Sequence, residues 1–469
     1  MDLDPVLLAR VQFAFTVAFH IIFPSFTIGL SAWIATLLVV WRRTGNDRYR
    51  ELAHFWTKVF AVSFAMGVVS GLVLSYQFGT NWSRFSDVVG NVVAPLIGYE
   101  VLTAFFLEAT FLGIMLFGWK RVPPWLHVMS AVFVAVGTMS SAFWILSANS
   151  WMQFPAGHVV RDGIAYPDDW VKIVFSPTFP YRFAHMLTAA YLTTSFVVLA
   201  IGARYLLAGK HRDYARIMLK MGLGMAIVLA PLQALIGDQS GLVVREHQPA
   251  KLAAIEGHWE ADAPGPVPLV VFAWPDEAQE KNDYQISVPY LGSLIITHSL
   301  DGSYPGLKAF PPEDRPPLWG PFFGFRIMVG IGVLMILVAW AGGLLWWRGS
   351  LETNRGFLRI ASWMWPSGFV AVLAGWVVTE VGRQPWLATG ILKTADAASP
   401  VPAHVVLTSL ILFVVVYGIV FSFGIYYMNR LLVRGPVQLW DEGEEPVPGR
   451  PLAAVGPASG RGAYRGGGG

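Results

Sequence analysis

Trp376-Val-Val-Thr-Glu380-Val-Gly-Arg383-Gln-Pro-Trp386 opens inside an apolar run and closes in a corner that no helix continues through. Pro385 has no backbone N–H and biases Gln384 away from the α region, so the run ends there. The helix therefore delivers Glu380 about one turn from its end, with Arg383 just beyond it. A carboxylate at the bilayer centre costs about 2.5–3.5 kcal/mol, which a cation, a proton or a metal must offset. Trp376 lies four residues earlier, on the same helix face as Glu380. Two readings stand for Glu380. One is a carboxylate snorkelling to the interface beside Arg383. The other is a metal or proton site buried between helices.

The rest of the chain supplies the membrane. Its 469 residues are 55% hydrophobic and only 13% charged, with a mean hydropathy of +0.52. Soluble domains carry about 25% charged residues. The 20 Trp fit aromatic belts at the two interfaces. Without cysteine there are no disulfides, no cysteinyl iron–sulfur cluster and no thiol catalysis. The first apolar run is long and followed by Arg, so it reads as a retained anchor rather than a cleaved signal. A net charge of +3, with the basic residues in loops, gives no basis for a nucleic-acid partner.

Nine segments are long enough to cross about 30 Å of hydrocarbon. They lie near 12–41, 54–79, 93–119, 125–150, 181–208, 216–237, 320–347, 358–381 and 403–430. Only helices and closed barrels satisfy their backbone in lipid, so the expected fold is an all-α integral membrane protein with nine transmembrane helices. Arg42, Arg43, Arg48, Arg50, Lys120, Arg121, Arg204, Lys210, Arg212, Arg348 and Arg355 fall in alternate connections. The positive-inside rule makes those connections cytoplasmic, with the N-terminus outside and the C-terminus inside. The chain then divides into helices one to six (1–237), a long outer loop (238–319), helices seven to nine (320–434) and a disordered cytoplasmic tail (435–469). Within the loop, Lys251-Leu-Ala-Ala-Ile-Glu256-Gly-His258-Trp-Glu260 reads as a short amphipathic helix.

Polar groups inside the spans are few. His20 lies in the first, Glu100 and Glu108 in the third, His185 near the start of the fifth after Tyr181-Arg182, Arg326 and Met328 in the seventh, and Glu380 in the eighth. Arg10 sits at the outer mouth of the first. Each has a plain structural explanation: interhelical hydrogen bonds for histidine, gap-filling for Met328, snorkelling for the arginines. Alternating span direction nevertheless brings His20, His185, Met328 and Glu380 to similar depth. Imidazole nitrogen, thioether sulfur and carboxylate are axial-ligand types for haem iron. Arg10, Arg326 and Arg383 at the same level suit haem propionates. Glu100 and Glu108, about 12 Å and 80° apart on an α-helix, suit steps of a proton path that Thr138, Ser140 and Ser141 extend; protonated, hydrogen-bonded carboxyls are the alternative. Residues alone stop at an outward-facing metal or haem site with possible proton conduction.

Seven motifs in order then resemble subunit I of the cytochrome bd-type quinol oxidases over about 1–435. They are Arg10-Val-Gln-Phe with His20, Gly98-Tyr-Glu100 with Glu108, Phe183-Ala-His185, Gly237-Asp-Gln-Ser-Gly241, Lys251-Leu-Ala-Ala-Ile-Glu256, Phe325-Arg326-Ile-Met328 and Glu380-Val-Gly-Arg383-Gln-Pro-Trp386. The resemblance implies a bacterial inner-membrane oxidase that oxidises quinol at the outer face and reduces dioxygen to water with inside protons, building a potential without pumping. It implies His185 and Met328 as ligands of a low-spin haem b. It implies His20 and Glu380 as ligands of a high-spin haem b and a haem d, or a further haem b in its place. Trp376 stands between the cofactors, Arg10 and Arg383 pair with propionates, and Arg326 steadies the low-spin haem. Lys251 and Glu256 take the quinol-reacting positions of a loop whose length resembles the family's short form, Glu100 and Glu108 belong to the proton path, and the haem b in place of d is a feature of relatives described as cyanide-insensitive. Implied partners are subunit II, small single-span subunits and the bilayer. Two other classes remain in view: a haem electron-transfer protein without oxygen chemistry, and a secondary transporter, which often shows interrupted helices.

Overall fold

A computed structural model describes residues 4–261 and 265–437; most of the expected tail, 438–469, lies outside the described residues. Among the described residues nine helices are long and apolar enough to cross a membrane: Pro5–Thr44, Asp47–Thr80, Ser83–Phe117, Pro124–Gln153, Trp170–Leu207, Arg212–His247, Trp319–Trp347, Arg355–Val381 and Ala403–Arg434. Short polar caps set the turns. Asn46 accepts from Arg48 N–H to start the second span, and Gly45, at φ 68°, closes the first.

The fifth span is the axis of the bundle. In its apolar stretch 72% of residues are buried, against 17% in the third and ninth spans, whose outer faces stay apolar and open. It meets the sixth span through two glycines. A Cβ at Gly202 would lie 2.9 Å from Leu219 N, and one at Gly222 would lie 3.0 Å from the Ser195 carbonyl. Such close backbone approach is how membrane helices gain packing where lipid removes the hydrophobic drive. A second core joins Leu30, Ile34 and Leu38 of the first span to Leu52, Trp56 and Phe60 of the second.

Several local expectations change. The sixth helix runs to His247 rather than ending at 237, because nothing breaks it before Pro249. The eighth span is broken into Arg355–Trp363 and Ser367–Val381; Pro366 denies the helix an N–H and disfavours helix at Trp365. The third span carries a π-helical turn over Glu100–Phe105. The Lys251–Glu260 stretch forms the helix Pro249–Glu256, but every residue from Lys251 to Glu256 is buried, so that helix is not amphipathic. The long loop is built rather than open, with a hairpin of Leu269–Asp276 on Lys281–Val288 and a helix Leu291–Thr297.

The polar connections gather at one end. Thr389 N–H donates to the Met152 carbonyl (3.1 Å), Gln248 Nε2 to the Gln153 carbonyl (3.0 Å), and Lys393 pairs with Asp314 (2.9 Å). At the opposite end, Arg48 pairs with Asp213 (2.9 Å), and Arg216 and Lys220 share Glu352 at 2.6 and 2.8 Å.

Gly222→Val places a branched side chain against the Ser195 and Leu199 backbone. It should cost about 1–3 kcal/mol and lower the thermal midpoint of the detergent-purified protein by several degrees. An unchanged midpoint would show that the two helices part without penalty.

Candidate functional site

Glu380 ends the eighth span among three basic side chains. Arg383, 4% accessible at its side chain, donates from Nη2 to Glu380 Oε2. Asn149 Nδ2 donates to Glu380 Oε1 at 3.0 Å, and Gln153 Nε2 lies 3.4 Å from the same atom. Arg182 reaches across from the fifth span. Its Nη1 donates to Ser150 Oγ (2.9 Å), its Nη2 to Asn149 Oδ1 (2.5 Å), and its guanidinium lies 5.9 Å from the Trp376 ring. Lys251 enters from the loop, donating to Gln153 Oε1 and, at 2.9 Å, to Gln248 Oε1. Burial and then the Arg182 and Arg383 charges hold the Lys251 ammonium well below the ordinary lysine range, with Glu380 opposing them. One carboxylate thus faces three basic groups. Arg383 Nε and Nη1 are buried with no hydrogen-bond partner among the described residues. Glu380 keeps 30% of its side-chain surface accessible inside the bundle. The arrangement suits further anionic oxygens, as haem propionates would supply.

Three of the four candidate ligands, His20, His185 and Met328, share a second feature: each faces a helix glycine. A Cβ at Gly71 would stand 3.1 Å from His20 Cε1, one at Gly237 3.4 Å from His185 Cε1, and one at Gly375 2.9 Å from Met328 Sδ. Helical glycine costs roughly 0.5–1 kcal/mol against alanine, so three such positions mark room kept around these side chains. His20 Nδ1 lies 3.0 Å from Ser70 Oγ, and Gln233 Nε2 lies 3.2 Å from each ring nitrogen of His185. Imidazole, thioether and carboxylate donors beside unpaired guanidinium nitrogens fit haem.

In the third span the π turn alters the carboxylate geometry. Eight residues of α-helix leave Glu100 and Glu108 about 80° apart; the extra residue of a π turn removes about 100°. Both now meet one face of the fourth span. Ser141 Oγ donates to Glu100 Oε1 at 2.7 Å, and a Cβ at Gly137, four residues earlier, would lie 2.6 Å from Glu108 Cγ. Glu108 is buried, and Thr138 Oγ1 lies 3.0 Å from Ser31 Oγ on the first span.

Lys251 and Glu256 project from nearly opposite faces of their helix, five residues apart. Lys251 points at the Glu380 cluster. Glu256, 2% exposed, points at Arg326 and Tyr304. Burial pushes its carboxyl up to about 7, with Arg326 opposing the shift. Arg326 spends its donors on the loop: Nη1 on the Ile255 carbonyl at 2.8 Å, Nε on Val270 and Val271 at 3.1 Å, and Nη2 on Val270. A cation at the carbonyl end of the Pro249–Glu256 helix also complements its dipole.

Over residues 8–436 the chain matches the family described as Cytochrome bd terminal oxidase subunit I. It is 34% identical, over 508 aligned positions, to the Cytochrome bd-II ubiquinol oxidase subunit 1 of Escherichia coli (strain K12), covering 94% of this chain and 98% of that protein. It is 36% identical over 443 positions to the Cytochrome bd ubiquinol oxidase subunit 1 of Bacillus subtilis (strain 168), covering 92% and 94%. A solved structure, that of bd oxidase from Geobacillus thermodenitrificans, shares its fold with a TM-score of 0.85 at 33% identity, covering 93% of this chain and 100% of that one. The chain belongs to this family.

A multi-pass cytochrome bd subunit I therefore carries the Glu380 cluster. The 508 aligned positions exceed this chain's 469 residues, so the Escherichia coli protein has segments that this chain lacks. Arg383 and Glu380 come together as expected. Arg326 donates to loop carbonyls and to the Phe322 carbonyl of its own span, and Arg10 is exposed on the first span. Sequence reasoning gave no role to Asn149, Gln153 and Arg182, although Asn149 and Gln153 form a polar end to an apolar helix. It also passed over His258 and Tyr304.

Glu256 sets a pH dependence. Between the ordinary 4.5 and about 7 the unfolded carboxyl has lost its proton while the folded one keeps it. Folding then takes up a proton, so stability falls as pH rises through that window and levels off above it. Glu256→Gln, neutral throughout, should flatten this slope in thermal midpoints measured against pH. Parallel curves for the two proteins would refute it.

Proposed function

We propose that this chain is the haem-bearing subunit of a quinol:dioxygen oxidoreductase. The observation that carries this is the Glu380 cluster: a membrane carboxylate among Arg182, Lys251 and Arg383, with two guanidinium nitrogens unpaired among the described residues, in a bundle where His20, His185 and Met328 each face a glycine. His185 and Met328 would bind a low-spin haem b. His20 and Glu380 would bind the two high-spin haems, one b and one d or a further b. Bound haem iron would supply one-electron transfers and the open coordination at which dioxygen is reduced. Arg383 and Arg182 would hold propionates, with Arg10 at the outer mouth, and Trp376 would pack between the cofactors. We assign Arg326 to anchoring the loop.

Quinol is the substrate named in both relatives' names. Here it would meet the 248–319 loop. Glu256, with its carboxyl near 7, is suited to accept a quinol hydroxyl proton at neutral pH. Lys251, on the other face of the same short helix, would hold charge at the cofactor side. Glu100 and Glu108, aligned on the fourth span, would hold protons on their way from the cytoplasm, with Ser141 and Thr138 beside them. Quinol protons released outside and consumed protons taken from inside build a potential without pumping. The basic connections at the end opposite the loop support that orientation in a bacterial inner membrane. The open apolar faces of the third and ninth spans suit subunit II, small single-span subunits or lipid.

The test is a dithionite-reduced-minus-oxidised visible spectrum with and without carbon monoxide. Low-spin b bands with a CO-reactive high-spin component are expected, and a red-shifted chlorin band would mark d. Met328→Leu should remove the low-spin signal and leave the protein folded. Absence of haem from cofactor-replete, folded protein would overturn the proposal and favour ion coupling through the same charged groups.

A further inference from the structure

Four buried polar atoms of the long loop have no hydrogen-bond partner among the described residues; Asp314 Oδ1 is ion-paired with Lys393, and the other three are Glu256 Oε2, His258 Nε2 and the Tyr304 hydroxyl. Buried polar atoms are normally satisfied by protein, water or ligand, so each such group calls for an explanation. These three form one cluster. The His258 and Tyr304 rings lie 5.3 Å apart at 65°, His258 also bonds the Tyr304 backbone, and the Glu256 carboxylate acts on the Tyr304 hydroxyl. Arg326 brings the facing positive charge from the seventh span, while Lys251 points away from the opposite face of the helix.

A backbone ladder holds the cluster together. Gly306 N–H donates to the Glu260 carbonyl (2.9 Å), Leu307 N–H to His258 (2.9 Å) and Lys308 N–H to Trp259 (3.0 Å). A Cβ at Gly306 would stand 2.6 Å from the Trp259 carbonyl carbon, so only glycine lets the segments run this close. The ladder seats Tyr304 against His258. Two residues beyond His258 the chain reaches water: Glu260 is exposed and accepts from Lys308 Nζ at 3.0 Å.

We propose that Tyr304 and His258 form a proton relay that carries each quinol proton from buried Glu256 to the aqueous surface at Glu260. The inference rests on the quinol role proposed for Glu256. Oxidising one hydroquinone to quinone releases two electrons, which leave for the haem irons and finally dioxygen, and two protons. One carboxylate holds one proton, so Glu256 must be cleared between the two. The Glu256 proton passes, directly or through a water, to the Tyr304 oxygen as Tyr304 gives its own proton to His258 Nε2. His258 then releases a proton to water beside Glu260, and all three groups return to their starting forms. Burial supports each role. The Glu256 carboxyl near 7 both takes and returns a proton, the Tyr304 hydroxyl is pushed up and stays neutral, and the His258 imidazole is pushed down and gives its proton up.

The test uses the complete oxidase with a short-chain quinol, comparing Tyr304→Phe, His258→Gln and Glu256→Gln by oxygen consumption. Both relay variants should keep the parent's haem spectra and KM while kcat falls about tenfold or more. Added imidazole should restore part of the His258→Gln rate. Tyr304→Phe removes only an unpartnered hydroxyl, which keeps the test open if His258→Gln fails to assemble. A slow Glu256→Gln with both relay variants within about twofold of the parent would overturn the relay alone. A Glu256→Gln enzyme as fast as the parent would overturn the quinol role of the loop, and the relay with it.

Discussion

Everything at the loop-bearing end of the bundle depends on holding one carboxylate among three bases at membrane depth. Glu380, Arg383, Arg182 and Lys251 come from the end of the eighth span, the corner after it, the fifth span and the loop. Such a group is costly to desolvate, and losing one partner would leave an uncompensated charge. The neutral amides of Asn149, Gln153 and Gln248 fill the gaps between the charges and fix their geometry. The fold converges on this point because the most buried span supplies Arg182 and the loop helix, packed on the sixth and seventh spans, supplies Lys251.

The excess of positive charge also orders the chemistry proposed here. Two guanidinium nitrogens without partners are an expensive feature unless negative oxygen meets them. The glycines opposite His20, His185 and Met328 carry the same message in steric form. Room is kept where large planar groups would lie, at the expense of helix propensity.

Much of this was legible in the sequence. Nine apolar runs gave the spans, and the Gly-Arg-Gln-Pro-Trp corner gave the place where Glu380 and Arg383 meet. Helix breaks were harder. Pro366 interrupts the eighth span because its apolar pattern continues across a residue that cannot donate. The π turn at Glu100–Phe105 left no sequence mark, yet it turns two carboxylates onto one face. The Pro249–Glu256 helix misled because Lys and Glu usually mark a solvated face, and here both are buried against charged partners from other elements. Arg326 shows the opposite limit: nothing in its spacing from Met328 announces the loop carbonyls, some seventy and fifty-five positions away, to which it also donates. Sequence periodicity says which face a residue occupies but not what a folded loop brings to it.

The eight-residue helix Pro249–Glu256 has one further consequence. Its two charged side chains point in nearly opposite directions. Lys251 reaches the amides beside the Glu380 group, and Glu256 faces Arg326 and Tyr304. One short buried element thus ties both polar groups to a single piece of backbone, so a substitution that displaces this helix disturbs both at once.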